Sequence, residues 1–362
     1  MHAAAYIAAL PALIVDNMVI SREQCGNTQQ PAGEAPLAVS VVVPCYNEEA
    51  ALPMFLPRLI AAVEAAVESD FEILLINDGS QDRTWACIRA QALHQPNIVG
   101  INLSRNYGHQ IAVTAGLSLA RGQQVLIIDA DLQDPPELLS QMRKRMADGY
   151  DVVYGKRHIR LSENRFKRFT ANAFYRLLGK LSEVEIPADV GDFRLMSRRI
   201  VDRLNAMPEH DRFLRGMVAW LGGRQTEILY DRDPRCAGKS GYTLSKMMKL
   251  AVNGLIGFST APLNIAIVFA LVGAVAGVAI VAYALTAFFL GRIVPGWTSL
   301  AIITVFFGVG QFGCLAVFGV YLGRIYMEAK GRPLFVIDDV ISCADAGPES
   351  ASSATRDLQT LS

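Results

Sequence analysis

The chain has 362 residues, enough for one large or two ordinary domains, with 34 Lys+Arg against 34 Asp+Glu and a formal net charge of +0. That balance argues against a general nucleic-acid binder, which shows a basic excess. Charged residues make up only 19% and mean hydropathy is +0.27, so the apolar excess has to be localised in membrane-type segments.

The first 36 residues open on MHAAAYIAALPALIVDNMVI, which lacks a cationic start and is interrupted by Pro11 and Asp16, so it does not read as an export signal. Residues 21–36 form a polar linker, and 1–36 are expected to be a disordered or interfacial extension. Apolar runs rich in Val and Ile follow at 38–43, 71–76, 98–102, 124–128 and 151–154, with helical patterns between them at 48–67, 82–94, 109–121 and 135–148. Such alternation predicts a mostly parallel α/β sheet covered by helices, within a domain spanning 37–235. Ligands of these sheets bind at the carboxyl ends of the strands.

Beyond it, 236–260 reads as a loop and an amphipathic helix, with Leu244, Met247, Met248, Leu250, Ala251 and Leu255 at helical spacing beside Lys246 and Lys249. It is expected to lie on the membrane surface, a buried packing helix being the alternative. Residues 261–291 and 293–323 contain no Asp, Glu, Lys or Arg. Each run exceeds the roughly 20 residues that cross a bilayer, so 261–323 is predicted to be a transmembrane hairpin, with helices at about 263–290 and 298–322. Lys246, Lys249, Arg324, Lys330 and Arg332 flank it on one side, against Arg292 between the spans. The positive-inside rule then puts the large domain and the 324–362 tail in the cytoplasm, at the inner membrane. The six cysteines are scattered, without metal-ligand spacing, which fits a reducing compartment.

Chemistry-bearing residues gather at the predicted strand ends: Pro44-Cys45-Tyr46-Asn47-Glu48-Glu49, then Asn77-Asp78-Gly79-Ser80, then Asp129-Ala130-Asp131-Leu132-Gln133-Asp134. Asp-Gly-Ser by itself is also a turn or helix cap. Two carboxylates on one short loop repel unless a cation lies between them, and hard oxygen ligands suit Mg²⁺ or Mn²⁺ bridging a diphosphate; capping of the next helix is the plain alternative. Neither a GxGxxG nor a GxxxxGK[ST] fingerprint is present.

In order and spacing, VVVPCYNEE, INDGSQD, LSRNYGHQIAVTAGL, IDADLQDPPEL and DVGDFRLM resemble family 2 glycosyltransferases, over about 38–260. More narrowly they are similar to the polyprenyl-phosphate sugar transferases, the bactoprenol glucosyltransferases and dolichyl-phosphate mannose synthase. The resemblance implies a GT-A-like fold and a nucleotide-sugar site formed by Pro44, Tyr46, Glu48, Asp78, Asp129, Ala130, Asp131, Gln133, Arg235 and Lys239. Asp129, Asp131 and Gln133 would hold the Mg²⁺ or Mn²⁺. Arg157, with Ser162, Lys167 and Arg168, would grip the acceptor phosphate, while Lys156 and Arg160 read equally as surface charge. Asp131, Asp192 and Arg235 are the implied catalytic residues, Asp192, with Asp189 as the alternative, by binding sugar hydroxyls or orienting the site, and Arg212 is a further candidate. Lys239 stands before Ser240, where relatives often place the Lys after it, which leaves its role open.

The implied reaction is inverting transfer from UDP-glucose to an undecaprenyl-type phosphate, for cell-envelope glycan modification. UDP-N-acetylglucosamine, a UDP-arabinose derivative and GDP-mannose are alternative donors. An inactive sugar-nucleotide-binding membrane anchor is the reading of another class. Implied partners are the donor, the lipid acceptor, the bilayer, further copies of the chain packed on the faces of Gly308, Gly310 and Gly313, and a flippase for the lipid-linked sugar, but no nucleic acid.

Overall fold

The computed structural model describes residues 37–67, 70–157, 190–231, 261–290 and 296–343. They fall into two units, one built on a sheet and the other on a pair of long helices. The predicted extension at 1–36, the basic run from His158 through Ser162, Lys167 and Arg168, and Asp189 lie outside the described residues. So do Arg235, Lys239, the amphipathic segment at 236–260 and the end of the tail from 344.

In the sheet unit the alternation runs β1 (Val39–Cys45), α1 (Leu52–Val67), β2 (Phe71–Asn77), α2 (Thr84–His94), β3 (Ile98–Leu103), α3 (His109–Leu119) and β4 (Gln124–Ile127). A 3₁₀ turn at Pro136–Leu138 leads into α4 (Leu139–Ala147) and β5 (Val152–Arg157). The prolines delay the helix predicted from 135, because Pro135 stays extended and its ring supplies no amide. Next come β6 (Val190–Ser197), α5 (Arg198–Asn205), α6 (Leu214–Leu221) and β7 (Gln225–Tyr230). Strand order is β7-β5-β6-β4-β1-β2-β3-β8, where β8 (Ile337–Ile341) follows the helix pair.

Strands β1 to β4 are mutually parallel, and β6 and β8 enter antiparallel, so the sheet is mixed around a parallel centre. Every residue of β1 and β2 is buried, as expected for central strands covered on both faces. Val39, Val41 and Val43 join Phe55, Leu59 and Val63 of α1 in the core. On the opposite face α3 packs so closely that a Cβ on Gly116 would lie 2.4 Å from Val42 Cγ1 and 2.8 Å from Ile76 Cδ1.

The register of the central strands is pinned near their amino ends by a buried carboxylate. Ser40 and Glu72 are register partners, and Ser40 Oγ donates to Glu72 Oε1 at 2.6 Å. Glu72 also accepts Arg121 N at 2.7 Å and Arg121 Nε at 2.9 Å, while Gly122 N donates to Ser40 Oγ at 2.7 Å. A one-residue slip of β1 against β2 would break the Ser40–Glu72 bond and leave the buried hydroxyl and carboxylate mismatched.

Strand β8 lies in the segment read from sequence as tail. It pairs antiparallel with β3, and Ser104 N extends the ladder to Val336 O at 3.0 Å. Asp338 and Asp339 interrupt its apolar residues, a pattern suited to a solvent-facing edge strand.

The second unit holds α7 (Ala261–Phe289, 29 residues) and α8 (Trp297–Ala329, 33 residues). At 1.5 Å per residue both exceed the ~30 Å hydrocarbon thickness. Their apolar stretches, Ala266–Tyr283 and Phe306–Ala329, are not buried within the protein. The second helix runs past the predicted end near 322, taking Arg324 and Glu328 into its last turns. Phe269 lies against Gly310, where a Cβ would come within 2.2 Å of the ring, while Gly308 and Gly313 have open space. Gly310 therefore serves packing inside the hairpin.

Gly116→Ala should destabilise the sheet unit by about 1–3 kcal/mol, because its methyl group would meet β-strand side chains locked in the core. Thermal unfolding of the detergent-purified chain checks this; an unchanged midpoint would mean that α3 does not rest directly on Val42.

Candidate active site

The central parallel strands end at one edge, and the chain goes one way from β1 to β2 but returns across the sheet from β3 to β4. Such a switch point leaves a crevice outside the carboxyl ends. A cleft of about 240 Å³ occupies it.

From β1 come Pro44, Cys45, Tyr46 and Glu48. Tyr46 is 44% exposed, so its ring is a surface of the cleft and not a core aromatic. Asn47 takes φ +56°, which an Asn tolerates, and braces the turn. Its amide donates to Ser80 Oγ at 3.0 Å, and its Oδ1 accepts Gln81 N at 2.9 Å. Glu48 N donates to Thr84 Oγ1 at 2.8 Å, so the loops after β1 and β2 form one wall. Cys45 is buried, and burial, then Glu48 and Asp129, push its thiol up, which makes it a poor nucleophile.

Asp78 lines the cleft after β2. Its Oδ1 accepts Tyr107 N at 2.7 Å and Oδ2 accepts Gly108 N at 3.0 Å, so it holds the loop after β3 in place. Burial raises its carboxyl, with the two amides pulling the other way. Gly79 next to it has φ +62°, and a Cβ there would strike Asn106 N at 2.4 Å. Asn77 is used up in the scaffold, donating to Asn102 Oδ1 at 2.7 Å and accepting Ser80 N at 3.3 Å.

Asp129, Ala130 and Asp131 form the floor after β4. Leu132 bends this loop at φ +60°, a strained conformation for a bulky residue that is held by burial of its side chain. Gln133 N donates to Asp131 Oδ1 at 3.1 Å. The Gln133 side chain is buried. Asp134 accepts a hydrogen bond from Tyr230, anchoring the loop to β7.

His109, at the start of α3 and within LSRNYGHQIAVTAGL, also lines the cleft, although the resemblance gave it no role. Its Nε2 lies 3.1 Å from Asp192 Oδ2 and 3.7 Å from Asp129 Oδ1. With carboxylates on that side, Nε2 carries the proton. Asp192, only 7% exposed, also accepts Arg215 Nε at 2.9 Å, Arg215 Nη2 at 3.3 Å and Gln110 Nε2 at 3.1 Å. Burial would raise its carboxyl, but His109 and Arg215 hold it well below the usual range. Burial likewise opposes charge on His109, yet the Asp192 hydrogen bond and the Asp129 charge raise it to about 9.

Asp192 thus stands behind His109 and not at the cleft surface. Arg212 faces away: it is buried and donates to Leu204 O at 2.8 Å and Met207 O at 2.6 Å, closing the end of α5. Lys156 is ion-paired with Glu227 at 2.9 Å across neighbouring strands, a surface pair. Arg157 is the last residue of β5.

Among the described residues no three His, Cys, Asp or Glu side chains converge on a metal position. The floor nevertheless fits a cation that brings its own oxygens. Asp129 Oδ1 is buried without a hydrogen-bond partner, and burial with nearby Asp192, Asp134 and Asp131 pushes its carboxyl up to about 6 despite His109. A buried carboxylate oxygen short of a donor, with a second carboxylate two residues on, suits Mg²⁺ or Mn²⁺. Such ions take one or two protein carboxylates and complete their shell with phosphate and water.

The family model described as Glycosyl transferase family 2 matches residues 40–204. An uncharacterised glycosyltransferase of Bacillus subtilis, YkcC, is 42% identical over 82% of this chain and 92% of its own length. A prophage bactoprenol glucosyl transferase homolog of Escherichia coli is 39% identical over 84% of this chain and 99% of its own. Among solved structures, a mannosyltransferase of Pyrobaculum calidifontis is 16% identical, covering 85% of this chain and 97% of that one, with a TM-score of 0.42. With relatives this similar over nearly their whole length, the chain belongs to glycosyl transferase family 2 and is a glycosyltransferase.

Proposed function

We propose that this enzyme transfers a sugar, glucose from UDP-glucose in the first instance, to a polyprenyl phosphate at the cytoplasmic face of a membrane. The observation that carries the reading is the resumption of the sheet at β8 after the apolar hairpin. A chain that leaves the sheet, runs through two membrane-length helices and rejoins the same sheet makes an even number of crossings. Both ends of the hairpin and the donor cleft then belong to the same side of the membrane that holds a lipid acceptor. Several relatives are named bactoprenol glucosyl transferases, which supports the acceptor and the sugar.

In this reading Tyr46 and the Asp78-braced wall hold the nucleoside. Asp129 and Asp131 would hold Mg²⁺ or Mn²⁺, which supplies neutralisation of the diphosphate when bound. Arg235 and Lys239 assist the same leaving group. Arg157, with Ser162, Lys167 and Arg168, holds the acceptor phosphate on the opposite side of the sugar. The acceptor is already anionic, so no side chain has to remove a proton from it. Its oxygen forms a bond to C1 as the C1–O bond to the diphosphate breaks, and this single displacement inverts the anomeric centre. Catalysis then rests on positioning and electrostatics.

Detergent-purified enzyme given Mn²⁺, a short polyprenyl phosphate and labelled UDP- and GDP-sugars should move label from one donor into the organic phase. Asp131→Asn should lower that rate by at least about 100-fold. Product from no donor, with UDP still bound, would overturn the lipid-acceptor reading.

Topology has its own check. In oriented vesicles an impermeant maleimide should reach Val294→Cys from the face opposite that from which it reaches Cys343. Labelling of both from one face would exclude a two-span hairpin.

A further inference from the structure

We propose that His109 is a positioning residue of the transfer step, the side chain through which buried Asp192 and Arg215 hold Asp129 toward the donor. The proposal rests on the donor-site reading above. Its basis is a bridge of two carboxylates by one imidazole that joins three separate parts of the sheet unit.

The ring is fixed at both ends. At its base, His109 follows Gly108, which has φ +96° and whose amide is held by Asp78 at 3.0 Å. At its tip, Nε2 is 3.1 Å from Asp192 Oδ2. Asp192 is in turn oriented by the fork of Arg215 on α6 and by Gln110, whose Oε1 accepts Leu214 N at 3.0 Å at the start of that helix. Each support is itself hydrogen-bonded, so the ring has little freedom.

The tip points where a charge is needed. Asp129 Oδ1 is buried without a hydrogen bond, and His109 Nε2 stands 3.7 Å from it, too far to be its donor but close enough to offset its charge. Asp192, Asp134 and Asp131 all push the Asp129 carboxyl up, and His109 is the neighbour that works against them. His109 is 40% exposed toward the cleft and Asp192 only 7%, so the buried carboxylate reaches the site through the ring. Partners that orient a metal-binding side chain typically change metal affinity or activity by 10–100-fold when removed.

The test uses the full chain in detergent, with Mn²⁺ and UDP as probes, and compares wild type with His109→Leu, His109→Gln, Asp192→Asn and the His109→Leu/Asp192→Asn double variant. His109→Leu should weaken Mn²⁺ binding in the presence of UDP about 10–100-fold and lower kcat by a similar factor. UDP affinity without metal should stay within about twofold of wild type, since Tyr46 and the Asp78 wall are untouched. His109→Gln keeps an N–H toward Asp192 without the charge and should recover part of the Mn²⁺ affinity, the part that comes from positioning. The double variant should be no worse than the poorer single variant, as expected of residues acting as one unit.

Wild-type Mn²⁺ affinity in His109→Leu would overturn the proposal, as would a wild-type enzyme that does not bind Mn²⁺. A parallel loss of metal-free UDP affinity and melting midpoint, with no rescue by Gln, would make His109 a packing residue and also overturn it. Should wild type bind Mn²⁺ and UDP yet glycosylate no lipid phosphate, the functional reading falls while the binding titrations still decide the role of His109.

Discussion

The crowding of carboxylates at the carboxyl edge of β4 is the constraint around which this structure is organised. Asp129, Asp131 and Asp134 share one loop, and Asp192 enters from the neighbouring antiparallel strand, where Arg194 is the register partner of Ile127. Charges of one sign this close destabilise a loop unless each is given a partner. Asp134 is tied to Tyr230, Asp131 takes the Gln133 amide, and Asp192 takes His109, Gln110 and Arg215. Among these residues Asp129 lines the cleft with an oxygen that is buried and short of a donor.

The far end of the sheet shows that this shortage is not a general failure of packing. Glu72 is as deeply buried as Asp192, and it receives a hydroxyl, an amide and a guanidinium that fit both of its oxygens. The same fold therefore satisfies a buried carboxylate where only register is at stake. At the catalytic edge it withholds the last donor and substitutes a longer-range charge, His109 at 3.7 Å. A full hydrogen bond to Asp129 Oδ1 would stabilise the empty loop, but it would have to be broken whenever a cation took that oxygen.

Much of this could be read from the sequence, for a reason tied to the parallel centre. Strands buried on both faces are continuous apolar runs, so β1 through β4 stand out within a residue or two, and their carboxyl ends locate the ligand crevice before any coordinates exist. Pro44, Tyr46, Glu48, Asp78, Asp129, Ala130 and Asp131 meet in the cleft because each lies just past such an end. The roles of His109, Gln110 and Arg215 were not legible, although LSRNYGHQIAVTAGL carries the first two within the family resemblance. They acquire meaning only through Asp192, 83, 82 and 23 residues away. Strand β8 was hidden because an edge strand bearing Asp338 and Asp339 reads like a polar tail.

That edge strand also constrains how the cleft can behave. β8 completes the ladder on β3, and the ladder runs through Ser104 into the loop whose Tyr107 and Gly108 amides are gripped by Asp78. On the far side of the cleft wall, His210 shares a hydrogen bond with Arg332 O at 2.7 Å, in the loop that leads to α6 and Arg215. Residues 332–341 therefore brace both the loop that ends in His109 and the loop that positions the Arg215–Asp192 pair. Both supports of the imidazole bridge depend on a segment that can dock only after two membrane-length helices have been made. In a chain synthesised from its amino end, the contacts of residues 332–341 are the last of the described sheet contacts whose partners become available.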